Sequence, residues 1–585
     1  MILQALSQYY LRLESDPDVD VAPFGYSRQK ISFCVVINDD GTLHEIIEES
    51  DGNSTKPRPK SLIVPGGAKP PGQGINPCFL WDNTGYMLGF KPDDEKPERT
   101  LEAFEAFRSK HADLKTTIDD PEFDAVCFFL SSWKPEKATE FPTLVSTSTG
   151  FGVFRVRGQT HYVHERRAVK DWWNTRLIIG DNEAQVQGQC LLTGEILPLA
   201  RLHEPKIKGV NGAQAAGASL VSFNDAAYES FGREQSFNAP VSKAAAFQYC
   251  TALNHLLRPG GGKIQIGDAT TVFWTESPSP MEEFFGFVAD PSSIPAEDEG
   301  QKLRVQTTLH RIVSGDAVED LELGAGETPF YVLGLSPNAA RLSIRFWFVS
   351  TLAEMVEALR QHFADLAIVR STDRDPEFPA MWQLLRETVR DSKDIPPLLA
   401  GAVMRAILTG GPYPQMLAAA VIRRIRADRV ISAVRAGILK ATLNRNSRLG
   451  ISSLVKELAM SLDPDRPEPA YQLGRLFAEL EKTQQDALPG INDTIKDRYF
   501  GAASATPSSV FPRIIRMSQH HLGKLEHRSR VHHEKQIQEI FGRVNNFPSH
   551  LNLNDQGLFA LGYYHQRQAI FTRKTAPESN SETPV

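Results

Sequence analysis

Strand-type patterns end at about residue 351 of this chain, and only helical spacing follows. Before that point, Ile31–Ile37 and Leu43–Ile47 flank the turn Asn38-Asp39-Asp40-Gly41, which is a strong signal for a β-hairpin. Ala125–Leu130 is a short apolar run typical of a buried strand, and Phe151–Val156 alternates apolar with polar residues. Residues 329–349 return to strand character around a Ser-Pro-Asn turn. The first part of the chain is therefore predicted to be a mixed α/β region with antiparallel strands.

The second part is predicted to be a bundle of helices. Helical spacing is found in Leu352–His362, Pro397–Leu408, Pro414–Arg426, Val430–Leu443 and Tyr471–Leu488. The last of these segments has an apolar face opposite a charged face: Leu473, Leu476, Phe477 and Leu480 against Glu479, Glu481 and Lys482. The predicted fold class is α+β, with a mixed α/β N-terminal region followed by an all-α C-terminal helical bundle.

The length of the chain and one stretch rich in proline, serine and acids predict its division into domains. A chain of 585 residues is too long for one ordinary core. The stretch between residues 276 and 302 is the best candidate for a boundary or a long exposed loop. The predicted division is 1–275, then 276–350 as a linker with a strand-containing continuation, then 351–585. The last dozen residues are predicted to be a disordered tail.

Cysteine usage and hydropathy indicate a protein of the reducing cytoplasm. The five cysteines are scattered and form no CxxC pair, which argues against a disulfide framework and a four-cysteine zinc site. The N-terminal apolar stretch is too short and interrupted for a signal peptide, and no window is apolar enough to cross a membrane. The expected location is cytoplasmic, with no membrane partner.

The motifs that would carry catalysis are absent from the sequence, so no enzymatic activity, cofactor or metal is predicted. The glycine-rich stretch 209–219 lacks the Lys-Ser/Thr end of a phosphate-binding loop, and neither HExxH nor GxSxG occurs. A histidine cluster suggests a metal, but its only nearby acids are Glu526 and Glu534. The solvated face of a basic helix is the favoured interpretation of this cluster, which consists of His520, His521, His527, His532 and His533.

The charge is polarised although the formal net charge is −7. Residues 405–448 hold nine Lys or Arg and the single acid Asp428, and residues 513–574 are also rich in Lys and Arg. A charge run on a helix is usually a solvated face. Because interspersed acids are missing here, the run favours contact with phosphates. The first candidates for such contact are Arg423, Arg424 and Arg426.

Two polar loops could meet nucleic acid or could be ordinary surface loops. The first follows Gly66 and carries Lys69, which can meet a phosphate, and the amides of Gln73 and Asn76, which suit base edges. The second runs from Cys190 and is rich in Asn, Gln, Gly and Ser. Its candidate residues are Lys206, Lys208, Asn211 and Gln214. For each loop, the structural and the functional interpretation have about equal weight.

Several stretches in this order resemble the large subunit of the type I-C CRISPR Cascade. They extend over nearly the whole chain: GQGINPCFLWDNTGYMLG at 72–89, CLLTGE at 190–195, IKGVNGAQAAGASLVSFN at 207–224, ESFGREQSFNAPVS at 229–242, LGLSPNAARLSIRFW at 333–347, YQLGRLFAELEKTQQDAL at 471–488, NDTIKDRYFGAASATPSSVFPRI at 492–514 and SQHHLGKL at 518–525.

The resemblance implies a non-catalytic subunit of an RNA-guided surveillance complex. In such complexes the guide pairs with the target, while protein reads a short adjacent motif in the duplex and holds the displaced strand. Region 1–275 is expected to read the motif near the guide's 5′ end, through Lys69, Gln73 and Asn76. The implied partners are CRISPR RNA, double-stranded target DNA and its displaced strand, the backbone, guide-capping and small subunits, and a helicase-nuclease recruited in trans.

The resemblance also implies that a small subunit can be made from an internal start in the same gene. A product that begins at Met460 would have 126 residues (585 − 459). Residues 460–585 are expected to fold alone and line the displaced strand, with some of the basic residues serving as internal ion-pair partners instead. The candidates are Arg475, Lys496, Arg498, Arg513, Arg516 and Lys524.

Two other functions compete with this interpretation. An interaction scaffold would use the basic face for acidic proteins and would ignore base identity. A stand-alone metal nuclease would use the histidine cluster and would cleave DNA in the presence of added divalent cations.

Overall fold

The computed structural model describes residues 2–19, 21–50, 58–67, 69, 74–146, 150–179, 186–289 and 298–571. The chain forms two compact units. The first consists of Met1–Lys208 with Ala216–His255, and the second of Gly209–Ala215 with Leu256–Val585. Strands and helices are mixed in the first unit, and the end of the chain is helical, which confirms the α+β class.

The first unit is built around a five-stranded sheet. Its strands are β1 (Tyr26–Ile37), β2 (Leu43–Glu48), β3 (Lys60–Pro65), β4 (Trp81–Asn83) and β5 (Phe151–Val156). The order is β2-β1-β5-β4, with β3 also paired to β1. β1 and β2 form the predicted antiparallel hairpin, while β1 and β5 run parallel, which the sequence pattern did not predict. A smaller hairpin joins β6 (Gln187–Gln189) to β7 (Ile196–Pro198).

The helices in the first part of the chain are α1 (Ile2–Ser15), α2 (Thr84–Leu88), α3 (Pro97–Leu114), α4 (Pro121–Ser132), α5 (Pro142–Ser146), α6 (Arg167–Ile179) and α7 (Lys243–Leu256).

The prediction of a strand over Ala125–Leu130 was wrong, because this run lies inside α4. Asp120 caps the helix by accepting hydrogen bonds from the backbone N–H groups of Glu122 (3.0 Å) and Phe123 (3.2 Å). Pro121 stands at the start of the helix, where its missing N–H costs nothing. A short apolar run suits a buried strand and a buried helix equally, so the capping residues before it decide the outcome.

An antiparallel sheet opens the second unit. It contains β8 (Lys263–Ile266), β9 (Ala269–Thr275), β10 (Pro329–Asn338) and β11 (Arg341–Thr351) in the order β11-β10-β9-β8. The strands predicted within 329–349 are confirmed as the hairpin of β10 and β11. The predicted boundary at residue 275 falls at the end of β9, which pairs with β10 across the segment predicted to be a linker. Part of that segment is helical, and residues 290–297 lie outside the described residues.

The remaining helices are α8 (Met281–Ala289), α9 (Glu299–Ser314), α10 (Leu352–Leu366), α11 (Met381–Arg386), α12 (Pro397–Thr409), α13 (Gln415–Asp428), α14 (Ala433–Arg448), α15 (Pro469–Ala487), α16 (Ile495–Ala503), α17 (Pro507–Leu522), α18 (His527–Phe541) and α19 (Leu553–Phe571). Every helix predicted after residue 351 is present. Among the residues that the structure describes, none of these helices has the length and apolarity needed to cross a bilayer. The predicted disordered tail lies outside the described residues.

The central helix of the bundle, α15, is buried on both its apolar and its charged side. Its apolar face packs as predicted, but Glu479 and Glu481, predicted to lie on the opposite, charged face, are each only 2% exposed. Glu481 accepts a hydrogen bond from the hydroxyl of Tyr563 on α19 (2.5 Å), and Glu479 is hydrogen-bonded to His533 on α18 (3.0 Å). Each buried carboxylate is therefore held by a polar group on a neighbouring helix.

Candidate nucleic-acid interface

Lys69, the first predicted motif reader, is tied into the interior of the first unit. Its Nζ donates to the buried carboxylate of Asp82 (2.5 Å) and to the backbone oxygen of Asn76 (2.8 Å). It also lies 3.3 Å from the centroid of the Tyr86 ring, in a cation–π contact. The side chain of Lys69 is 15% exposed and that of Asp82 is 0% exposed. Lys69 is thus placed to brace this loop.

Asp82 needs this brace because burial penalises its charge. Desolvation raises the pKa of the Asp82 carboxyl, and the charge of Lys69 opposes the rise. Asp82 also accepts hydrogen bonds from the backbone N–H groups of Cys78 (2.9 Å) and Asn83 (2.8 Å). These contacts fix the base of the loop, and they correct the prediction that Lys69 contacts a DNA phosphate.

Asn76, another residue of the predicted motif reader, lies at the surface. Asn76 is exposed, and its backbone N–H donates to the hydroxyl of Tyr86 (3.2 Å). Its amide side chain therefore stands at the surface on a braced backbone. Gln73 lies outside the described residues.

The second predicted set is divided between the two units. In the first unit, Lys206 donates to the Ser219 hydroxyl (2.7 Å) and is half-buried, whereas the side chain of Lys208 is exposed. In the second unit, the amide of Asn211 donates to Gln265 (2.7 Å), and Gln214 is exposed. Lys208, Asn211 and Gln214 are exposed, and of these Asn211 is already hydrogen-bonded within the fold.

About half of the basic residues between 405 and 448 are paired with acids, most of which lie elsewhere in the sequence. Arg435 is held by Glu387 (2.5 Å) and Asp428 (2.7 Å), and Arg445 by Asp365 (2.8 Å). Arg448 pairs with the carboxylates of Asp365 and Glu457. Lys440 instead donates to the backbone oxygens of Ala364 and Asp365. The inference that these positive residues lack balancing acids was therefore wrong for about half of the run.

Three of the predicted DNA-backbone contacts serve inside the fold. Arg475 is 2% exposed and donates to Gln566 (3.0 Å), to the backbone oxygen of Pro464 (2.9 Å) and to Gln472 (2.8 Å). Lys496 lies 5.0 Å from the centroid of the Tyr563 ring, and burial lowers its pKa. Arg424 donates to Asp428 (2.8 Å). Arg475, which is buried and hydrogen-bonded, cannot meet a phosphate unless it leaves these partners. Lys496 and Arg424 are half-buried and already have a partner in the fold.

The remaining predicted contacts are exposed, and most of them lie on three neighbouring helices. The side chain of Arg426 on α13 reaches Gly501 on α16, where a Cβ placed on the glycine would be 3.9 Å from Nε of the arginine. At the contact of α16 and α17, the guanidinium of Arg513 lies 5.6 Å from the centroid of the Tyr499 ring. We call this region the α13–α16–α17 basic surface, and it consists of Arg423, Arg426, Arg498, Arg513 and Arg516. Lys524 is also exposed, just beyond the end of α17.

Tyr499 lies beside the α13–α16–α17 basic surface, and sequence reasoning did not identify it. It is half-buried between Arg498 and the core residue Phe500, and its ring holds Arg513 at the surface. The signal was present in the sequence Asp-Arg-Tyr-Phe-Gly, in which an aromatic residue directly follows an arginine. Aromatic rings among arginines are typical of surfaces that follow a single nucleic-acid strand.

The histidine cluster is divided between the surface and the interior. His520 and His527 are exposed, but His533 is buried between Glu479 and Asp486, at 3.0 Å from each. The prediction of a wholly solvated face was wrong for His533, because α18 turns it toward α15. In the described part of the chain, no group of three His, Cys, Asp or Glu side chains is placed to hold a metal ion.

Comparison with known families gives the class of this protein. A family model described as CRISPR-associated protein (Cas_Csd1) matches residues 6–571. The chain belongs to this family of CRISPR-associated proteins. No match was found among curated proteins.

Proposed function

We propose that the chain is a non-catalytic large subunit of a type I-C CRISPR RNA-guided surveillance complex. In this role it reads the adjacent motif in duplex DNA, helps to open the duplex, holds the displaced strand and supports recruitment of a helicase-nuclease in trans. Its cytoplasmic location and its partners, which include CRISPR RNA and the other subunits, are parts of the same proposal. The observation that carries the proposal is the α13–α16–α17 basic surface.

That surface suits a phosphate backbone because four of its five arginines, Arg423, Arg426, Arg513 and Arg516, are exposed and have no acidic partner among the residues that the structure describes. The fifth, Arg498, lies 3.6 Å from the carboxylate of Asp493. Arg423 and Arg426 are three residues apart on α13, and Arg513 and Arg516 are three residues apart on α17, so each pair shares a helix face. Tyr499 lies beside Arg513, with its ring centroid 5.6 Å from the guanidinium. Arginines that neutralise phosphates release condensed cations, which makes binding depend on salt.

The test is a gel shift with the reconstituted guide–protein complex at several salt concentrations. Changing both Arg426 and Arg513 to Ala is expected to weaken binding about equally for all sequences and to lower the salt slope by about 1 per lost phosphate contact. Changing Arg528 and Arg530 on α18 to Ala is the matched control, and it should leave the slope unchanged. If both pairs of changes behave alike, the basic surface does not hold the strand.

Motif reading is tested separately, with Lys69 left in place. Alanine at Lys69 would disturb the fold through Asp82, so the variant to use carries Gln73→Ala and Asn76→Ala. Wild type is expected to prefer the intact over the scrambled motif, and the variant is expected to lose that preference by about 10-fold per lost base contact. If the variant discriminates as well as wild type, Lys208 and Gln214 become the better candidates.

The alternative is an interaction scaffold without base readout. A scaffold would bind duplexes with intact and scrambled motifs alike, so the wild-type comparison separates the two functions. Absence of DNA cleavage with added Mg²⁺, Mn²⁺ or Zn²⁺ would argue against a metal nuclease.

A separate product that starts at Met460 is also part of the proposal. It would contain α15 to α19, whose aromatic core joins Phe477, Phe500, Phe511 and Phe559. Met460 is exposed between α14 and α15. Changing Met460 to Leu is expected to abolish a small C-terminal product on a denaturing gel. An unchanged product would exclude this start site.

A further inference from the structure

A cleft in the second unit lies between α12 and one end of the sheet formed by β8 to β11. Its volume is about 410 Å³, and its walls include Arg345 and Phe346 of β11, Asp268 in the turn between β8 and β9, and one face of α12. Pockets that hold ligands are usually about 300–1,000 Å³ in size. The cleft is therefore large enough to receive part of another molecule.

The face of α12 that lines the cleft is a continuous stripe, separate from the face that packs in the core. Spaced as on one side of a helix, the residues of the stripe are Leu398, Gly401, Ala402, Arg405, Ala406 and Thr409. The opposite face, which includes Val403 and Ile407, is buried. At 1.5 Å per residue the stripe is about 16 Å long. That length suits a segment of a protein chain better than a compact small molecule.

A bulge in β11 forms the opposite wall of the cleft. The register between β10 and β11 shifts at Gly334 and Leu335, so Arg345 is an extra residue without a partner on β10. The ring of Phe346 lies over Gly334, where a Cβ would be 2.5 Å from it. Arg345 pairs with Asp268, at 2.7 Å. The wall is thus fixed, and the charge of Arg345 is neutralised, within the chain itself.

The mouth of the cleft combines apolar side chains with one cation. Leu398 is 72% exposed, and two other lining residues, Pro397 and Pro412, are also exposed. Exposed apolar side chains grouped around a cleft are typical of a binding surface. Arg405 is exposed, and no acidic side chain in the described part of the chain pairs with it. A carboxylate next to a large apolar side chain would complement this mouth.

The composition of the cleft favours a protein segment over a nucleic-acid strand. Phe346, the aromatic residue of the lining, is only 3% exposed and offers no open ring face on which a base could stack. The carboxylate of Asp268 stands in the wall and would repel a phosphate. Protein partners, in contrast, are commonly held by an apolar side chain that fills a pocket, with charged contacts at the rim.

We propose that this cleft between α12 and β11 is a docking site for an acidic segment of a partner protein. The segment places a large apolar side chain against Leu398 and the small residues of the stripe, and a carboxylate against Arg405. This inference rests on the proposed function, because the partner is a protein that joins the guide–protein complex.

The test uses the full chain in the reconstituted complex, with target DNA and the helicase-nuclease present. The variant Leu398→p-benzoylphenylalanine is irradiated, and mass spectrometry identifies the crosslinked segment. Leu303→p-benzoylphenylalanine is the matched control, because Leu303 is also an exposed leucine on a helix (64%) but lies outside the cleft. The variant at Leu398, and not the one at Leu303, is expected to crosslink to one protein segment in which an apolar residue stands next to Asp or Glu.

Reversal of the charge at Arg405 tests the second half of the contact. Arg405→Glu in the photo-crosslinking chain is expected to lower the yield about tenfold, because two negative charges would then face each other. Changing the acid of the partner segment to Arg should restore the yield. Arg405→Lys keeps the charge and should retain most of it. Circular dichroism of each variant checks that the fold is unchanged.

Four results would overturn the proposal. They are a protein crosslink no stronger than that of the control, a crosslink to DNA or guide RNA, a crosslink to a basic segment, and a yield that Arg405→Glu leaves unchanged. In these cases a complex that still prefers the intact motif leaves the proposed function standing. A wild-type complex that does not assemble, or that ignores the motif, would overturn the proposed function and this inference together.

Discussion

Gly474 on α15 and Gly562 on α19 mark a place where two helices touch backbone to backbone. A Cβ on Gly474 would lie 2.0 Å from the backbone oxygen of Phe559, and a Cβ on Gly562 would lie 2.0 Å from that of Tyr471. Each glycine thus makes room for the other helix. The close approach brings Tyr563 and Glu481 into their buried hydrogen bond and sets the position of the bundle that carries the basic surface.

Gly474→Ala is expected to lower the free energy of unfolding by about 3 kcal/mol, because the added methyl group meets fixed backbone and pushes the helices apart. Urea unfolding followed by circular dichroism measures this. Gly501→Ala on α16 is the matched control. Its Cβ would have 3.9 Å of clearance, so Ala should instead stabilise the helix by about 0.5–1 kcal/mol. Similar effects of the two changes would contradict the close contact.

Lys69→Met is expected to destabilise the chain by about 3 kcal/mol at pH 8, because it leaves the Asp82 carboxylate buried without its cation. The loss should become smaller as the pH falls, because burial raises the pKa of Asp82 and a protonated carboxyl no longer needs the cation. Adding Asp82→Asn should recover part of the stability in a double-mutant cycle. If Lys69→Met keeps full stability and loses motif discrimination, Lys69 is a DNA contact after all.

His533 is expected to stabilise the bundle more strongly in mild acid than in alkali. Burial alone lowers its pKa, but the hydrogen bonds and charges of Glu479 and Asp486 outweigh burial and raise the pKa above the ordinary value. Its contribution is therefore complete below about pH 6.5 and is lost as the pH rises through the raised pKa.

The change His533→Gln should accordingly cost about 1 kcal/mol more at pH 6 than at pH 9. Thermal or urea unfolding of both proteins at the two pH values measures this difference. The control is His527→Gln, which alters an exposed histidine on the same helix. A cost that does not vary with pH would show that the charge of His533 does not matter.

His111 is expected to act in the opposite direction, destabilising the first unit in acid. Burial lowers its pKa to about 4. Its neutral ring satisfies both nitrogens: Nδ1–H donates to the backbone oxygen of Phe107 (2.7 Å), and Nε2 accepts from the N–H of Leu80 (3.0 Å). Protonation would set an N–H against that of Leu80, so the contribution is present above about pH 6.5 and is lost as the pH falls.

The stability advantage of wild type over His111→Gln should therefore shrink by about 2 kcal/mol between pH 7.5 and pH 5, at about 1.4 kcal/mol per unit below pH 6.5. Urea unfolding at a series of pH values gives the slope. Parallel pH curves for the two proteins would mean that His111 already titrates normally in the folded chain.

Local patterns predicted much of the fold. The Asn38–Gly41 turn between two apolar runs predicted the first hairpin, and the spacing of Leu473, Leu476 and Leu480 predicted the buried face of α15. The pattern failed at Ala125–Leu130, where a capping aspartate and a proline made a helix of an apolar run that suits either structure.

Sequence reasoning predicted the candidate site less well than the fold. It found the basic helices, and Arg426 and Arg513 are exposed as a phosphate contact requires. It could not tell them from Arg445 and Arg475, which are buried. It also missed Tyr499, whose contact with Arg513 forms only in the folded chain.

The sequence by itself determined the order of the elements, the change from strands to helices after residue 351 and the family to which the chain belongs. These depend on periodicity, capping and turn residues, which act over a few neighbours in the chain. The tertiary structure alone decided which charges are free. Asp365 lies 80 residues from Arg445, and Asp82 lies 13 residues from Lys69. Such partners meet only when the chain folds, because electrostatic attraction and burial depend on distance in space and not on distance along the sequence.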